Sequence, residues 1–235
     1  MSQVLTVTNR PAGTSFPSRG KAGVLGAALL LVAPLQFLLF EQITAAAWRE
    51  PGYSFYYNFI SDLGVVNGPI VYQGRHVDSP VGWLIDFSFI ALGVLASTGI
   101  MLLTRSLARG AHRTVISIFG ILFGIGGVLV GVFPENSVEL GHIIGAFLNI
   151  GLGNALLIAI GLAGHRHYGL PRWISRLVVA SGVIGAAAMA GLVAFPVLFT
   201  GAIERTAAYP YMFGFALLAA LALVNIHKFQ PLNGK

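Results

Sequence analysis

The chain has 235 residues, of which 56% are hydrophobic and 9% charged, with a formal net charge of +6. A soluble domain carries roughly 25% charged residues, so most of this chain does not face water. The basic excess follows the links between apolar runs and does not point to nucleic acid, and the absence of cysteine excludes disulfides and thiolate metal sites.

Residues 1–20, "MSQVLTVTNRPAGTSFPSRG", lack an apolar core and so do not form a cleavable signal peptide. They read as a flexible cytoplasmic tail. A membrane span needs about 20 mostly apolar residues, and six stretches qualify: 22–47, 81–104, 114–133, 141–163, 173–199 and 210–227. The expected architecture is an all-α membrane protein, a six-transmembrane-helix bundle formed by one domain over 21–227. Residues 228–235 form a second cytoplasmic tail. Alternation of six spans puts Arg10, Arg19, Lys21, Arg105, Arg109, Arg113, Arg166, Arg172, Arg176, Lys228 and Lys235 on one side. All eight acids fall on or near the other. By the positive-inside rule the basic side, with both termini, is cytoplasmic. The expected location is the plasma membrane, multi-pass, with the first span uncleaved.

The first outer link, 48–80, contains "PGYSFYYNFISDLGVVNGP". Its aromatic rings suit headgroup depth, so the link is expected to be partly re-entrant or interfacial. If it is helical, Asn58, Ser61 and Asp62 share a face at i, i+3 and i+4. A plain turn, fastened by side chains that bond nearby backbone, accounts for Ser61 and Asp62 equally well. In "DSPVGWLID", Asp78 or Ser79 caps the second span with Pro80 at its first position. Asp86 then lies about 9 Å inside and needs a partner or a proton.

Span three reads "GILFGIGGVLVG". Gly120, Gly124, Gly127 and Gly131 fall on one helical face, a groove for close helix contact. The third link, "GVFPENSVELGH", carries Glu135 and leads to His142 at the mouth of span four. His142 and Asn149 are expected to face the bundle interior, because an unpaired polar group in lipid costs several kcal/mol. The fifth link, "GAIERTAAYP", places Glu204 and Arg205 at the outer edge. They read as a local ion pair, or as a charge that holds a lipid phosphate or the carboxylates of Asp62 and Asp86.

"NFISDLG", then "GVFPE" with a histidine a few residues on, then "GAIER" before the last span together resemble a bacterial and archaeal six-span family, domain of unknown function 998. The resemblance covers about 20–227 and marks Ser61, Asp62, Pro134, Glu135, His142, Glu204 and Arg205 as motif positions without assigning roles. A more distant likeness is to the Frag/DRAM/Sfk membrane proteins, which carry an Ile-Ser-Asp element in the first outer loop and are linked to lipid remodelling.

Three function classes follow. One is an outward-facing polar site at headgroup depth that binds a lipid or small amphiphile or assists an envelope complex. Asn58, Asp86, Glu135, Asn149, Glu204 and Arg205 would be its ligand-binding groups. The second is a membrane-embedded hydrolase or acyl-transfer enzyme acting on lipid, with Ser61, Asp62 and His142 as catalytic groups. A zinc version would want about three histidines, and only His76 and His142 lie outside, so metal and cofactor stay unassigned. The third, a transporter, lacks paired broken spans in matching halves. Membrane lipids are the expected partners, with a membrane protein as a further partner and no nucleic acid. Oligomeric state is open.

Overall fold

The computed structural model describes residues 20–108, 110–194 and 199–226. The basic residues Arg10, Arg19, Arg109, Lys228 and Lys235, and both tails assigned above, lie outside the described residues. Among the described residues, six helical spans are long and apolar enough to cross a membrane. They are built from α1 (Lys21–Ala47), α2 (Trp83–Leu107), α3 (Gly110–Val132), α4 (Glu139–Ala146) continued by α5 (Leu152–His167), α6 (Arg172–Ala194) and α7 (Thr200–Ile226). Alternation of these helices collects Glu41, Asp62, Asp86, Glu135, Glu139 and Glu204 at one end, here called the outer end. Arg105, Arg113, Arg166, Arg172 and Arg176 lie at the other, while Arg75 and Arg205 lie with the acids.

Glycine sets the helix spacing, because helices in lipid associate through close backbone contact. A Cβ on Gly127 would lie 2.9 Å from the Gly93 Cα, and one on Gly124 would lie 2.6 Å from the Ser97 Cβ. Gly120 and Gly131 meet Ile100 and Ile90 in the same way, so the expected groove seats α3 on α2. A second glycine contact, not anticipated, seats α3 on α4: a Cβ on Gly126 would stand 2.7 Å from the Gly145 carbonyl oxygen. Inward of this point Gly161 and Gly182 bring α5 against α6, at Val179 and Ile158.

Span four is not continuous α-helix. Phe147–Gly151 form one π-helical turn, a device that often marks functional sites. Asn149 sits in it, 1% exposed. Its Nδ2–H donates to the Phe123 carbonyl at 3.3 Å, and its Oδ1 accepts the Tyr211 hydroxyl at 2.7 Å. One turn on, buried Asn154 donates to the Ile150 and Ala207 carbonyls at 2.9 and 2.8 Å. These bonds tie the π turn to α3 and α7.

Two of the span boundaries that differ from the sequence reading bear on the outer end. Span six begins at Thr200, not near 210, and carries Pro210 inside α7. Proline is tolerated in a membrane helix where neighbouring groups satisfy the freed backbone. Glu204 and Arg205 therefore belong to a helix and not to a link. Likewise α2 starts at Trp83, so Asp86 lies in its first turn. Ser79 does not cap that helix: its hydroxyl donates to the Leu63 carbonyl, a tie between loop and span.

Candidate functional site

The outer link folds down onto the bundle. Ser61–Gly64 form a single 3-10 turn, not an α-helix, and all four residues are buried. The link then returns as a two-stranded hairpin, β1 (Ile70–Tyr72) and β2 (Arg75–Val77). Gln73 and Gly74 take positive φ, 46° and 78°, as a two-residue hairpin turn requires. This pairs Tyr72 with Arg75 and swings Arg75 back over the 3-10 turn.

Asp62, with no exposed surface, receives the Arg75 guanidinium from two nitrogens. Nε lies 2.9 and 3.0 Å from its two oxygens, and Nη2 lies 2.8 Å from Oδ1. The Phe59 N–H also donates to it at 2.9 Å, and Asn58 Nδ2 reaches it at 3.4 Å. Arg75 stacks over the Phe59 ring, 4.8 Å from its centre. Beside this pair the Ser61 hydroxyl donates to Glu135 Oε2 at 2.8 Å, and Arg75 Nη2 stands 3.5 Å from Glu135 Oε1. Burial, and then the negative charge of Asp62, push the Glu135 carboxyl well above the usual carboxylate range. The Ser61 hydroxyl and Arg75 pull against that shift.

A second charged cluster lies behind the same stretch. Arg205 pairs with Glu41 of α1 at 2.9 Å, not with its neighbour Glu204. Its Nη1 donates to the Phe55, Asn58 and Gly201 carbonyls at 3.0–3.1 Å, and Nη2 also donates to the Tyr53 hydroxyl. All three guanidinium nitrogens of Arg205 thus have acceptors within the protein. Where Arg205 was expected to hold a phosphate or the carboxylates of Asp62 and Asp86, it holds Glu41 and the loop carbonyls. Tyr209 donates to the Glu41 carboxylate at 2.9 Å. Glu204, 8% exposed, accepts the Ile60 N–H.

"NFISDLG" is therefore held residue by residue: Asn58 by Arg205, Ile60 by Glu204, Ser61 by Glu135, Asp62 by Arg75, Leu63 by Ser79. The predicted outer residues are brought together with two exceptions. Asp86 lies against Gly64 and accepts no side-chain hydrogen bond from a described residue. Asn149 belongs to the interior contacts of the π turn. His142 is buried, and its Nδ1–H donates to the Phe133 carbonyl at 2.8 Å. Ser61 and Asp62 bond Glu135 and Arg75, and neither bonds His142. No group of three or more His, Cys, Asp or Glu side chains able to hold a metal ion occurs among the described residues.

Ser61, Glu135, His142 and Glu204 meet at a cavity of about 250 Å³. Tyr72, Gln73 and Glu139 complete its polar end. Its other end is apolar, lined by Ala146, Phe147 and Ile150 around the π turn and by Met189, Leu192 and Val193 of α6. Ile143 and Val193, on the two sides of this end, are 43% and 61% exposed. The cavity thus runs from the charged network under the outer loop to the lipid-facing surface between α4 and α6. Sequence reasoning missed Arg75, Glu139 and the tyrosines. The signal for Arg75 was "VYQGRHV", a Gly-containing two-residue turn between two short strands.

Six glycine-packed spans capped by a buried, charge-fastened loop define a six-span integral membrane protein. A family model for proteins of unknown function (DUF998) matches residues 18–223, and the chain belongs to that family. No curated protein and no solved structure matches it, so the more distant Frag/DRAM/Sfk likeness rests on the Ile-Ser-Asp element alone.

Proposed function

We propose that this protein binds a lipid or small amphiphile of the outer leaflet, head first, in the cavity between α4, α6 and α7. The observation that carries the reading is the cavity itself, whose polar end sits among Ser61, Glu135, His142 and Glu204 and whose apolar end opens on the lipid face. A pocket with an apolar wall and a few converging polar groups is the usual form of a ligand site. At about 250 Å³ it is smaller than the ~300–1,000 Å³ of drug-sized pockets. It takes a headgroup and the first part of a chain, with the rest in the bilayer. Native mass spectrometry of detergent-released protein should show a retained amphiphile. Met189→Trp and Ile143→Trp, which fill or block the apolar end, should remove it at unchanged melting temperature. Equal retention in all three proteins would refute the reading.

The orientation belongs to the same proposal: a plasma-membrane protein with cytoplasmic termini and its cavity facing out. The chain has no cysteine, so single cysteines report cleanly. Val71→Cys, on the exposed strand β1, should react with an impermeant maleimide on intact cells, and Ala111→Cys should not. The reverse pattern would invert the site.

One observation favours the hydrolase alternative. The Ser61 hydroxyl donates to the Glu135 carboxylate at the cavity wall, a nucleophile beside a base. Covalent labelling of Ser61 by a fluorophosphonate would support catalysis. An unlabelled protein that still carries its amphiphile would leave binding as the function.

A further inference from the structure

The cavity's polar end has a charge imbalance that selects a ligand class. Six carboxylates lie in and around "NFISDLG": Glu41, Asp62, Asp86, Glu135, Glu139 and Glu204. Two guanidiniums answer them. Arg205 is taken by Glu41 and loop carbonyls, and Arg75 is taken chiefly by Asp62. Of the other four, Asp86 is not on the cavity wall, while Glu135, which has only a 3.5 Å contact with Arg75, Glu139 and Glu204 all line the cavity, and no described Arg or Lys does. Glu204 is more than nine-tenths buried. One of its oxygens accepts the Ile60 N–H, and the other, Oε1, receives no hydrogen bond from a described residue.

Building on the amphiphile-binding reading, we infer that the head is cationic, an amphiphile bearing an ammonium group that these three carboxylates receive. Burial of a carboxylate away from water is expensive unless it is paired. An ammonium supplies three N–H donors and a positive charge, which no described Arg or Lys supplies on this wall. Phosphate or carboxylate heads bring a like charge against Glu139 and Glu204, and the nearest described guanidinium, Arg75, already holds Asp62 through Nε and Nη2. Burial first, and then the charge of Asp62, raise the Glu135 carboxyl, and a positive head beside it would favour its ionised form. The apolar end fixes the chain. Phe147, Ile150 and Leu192 leave no polar partner there for a second charged group, so the ligand is charged at one end only within the cavity.

The test uses chain-matched dodecylamine, dodecyl phosphate and dodecanol, below their micellar concentrations, on protein in maltoside detergent. Binding is read as the shift in melting temperature with ligand concentration. The amine is expected to stabilise at concentrations at which the phosphate does nothing. Glu139→Gln is the informative variant: Glu139 is exposed, and Gln73 donates to it at only 3.4 Å, so folding does not depend on it. Its amine affinity should fall about fivefold, with dodecanol unaffected. Phosphate binding as strong as amine binding would overturn the ammonium inference and leave the cavity reading standing. Failure of all three ligands to bind would overturn both. Competition by lysophosphatidylethanolamine places the ammonium on a phospholipid head. Amine binding without that competition places it on a free amine, and either result supports the inference.

Discussion

Replacing Arg205 with methionine should lower the melting temperature in detergent by roughly 10 °C. The side chain is 7% exposed and Glu41 is wholly buried. Removal of one partner of a buried, hydrogen-bonded pair costs about 3–5 kcal/mol, because the other charge stays behind unpaired. Here the loss is wider than one pair. The Phe55, Asn58 and Gly201 carbonyls lose their donor together, so the outer loop comes off α7 as α1 loses its contact. Arg205→Lys keeps the charge but not the planar fork. It should retain Glu41, release the loop carbonyls and fall between the two proteins. Wild-type melting of Arg205→Met would show that the loop is fastened elsewhere.

Asp62→Asn should free the hairpin. The change is nearly isosteric, so packing is kept while the charge that holds Arg75 is lost. Asp62 takes the guanidinium through two nitrogens, together with the Phe59 N–H. Charge-assisted two-pronged contacts of this kind are the strong ones. Glu135 stands 3.5 Å from the same guanidinium and is held towards its neutral form in part by Asp62. With Asp62 neutral, Glu135 ionises more readily and draws Arg75 towards the cavity. The expected readout is faster proteolysis between 65 and 78 and a stability loss of about 3 kcal/mol. Asp62→Asn and Arg75→Met combined should cost much less than the sum of the singles, with a coupling of about 2 kcal/mol. Additive effects would mean that the pair does not hold the loop.

These two arginines also show where the sequence was readable. The six spans were legible because a membrane helix must be apolar along its length. The glycine face of α3 was legible because 3.6 periodicity puts Gly120, Gly124, Gly127 and Gly131 in one row. "GAIER" was misread as a link because charge inside a span is normally excluded. It is permitted here by Glu41, 164 residues away in the chain, and no single sequence displays a pairing at that distance. Arg75 is different. It lies 13 residues from Asp62, and recognition of the Gln73-Gly74 turn would have brought it back over the 3-10 turn. Sequence logic reached the residues around "NFISDLG", but grouped Asp62 with Arg205 and His142 where the fold gives it Arg75. The π turn left no local mark. Its place is set by the buried bonds of Asn149 and Asn154 to other helices, which are tertiary and not local facts.

The claim that the cavity holds an amphiphile entering from the bilayer is tested most directly by photo-crosslinking in cells. A benzophenone amino acid at Leu192, on the cavity wall, is compared with one at Leu162, 71% exposed on the lipid face of α5. The account predicts one dominant amphiphile adduct at Leu192, absent from Met189→Trp, against a bulk-lipid mixture at Leu162. The same mixture at both positions would contradict it.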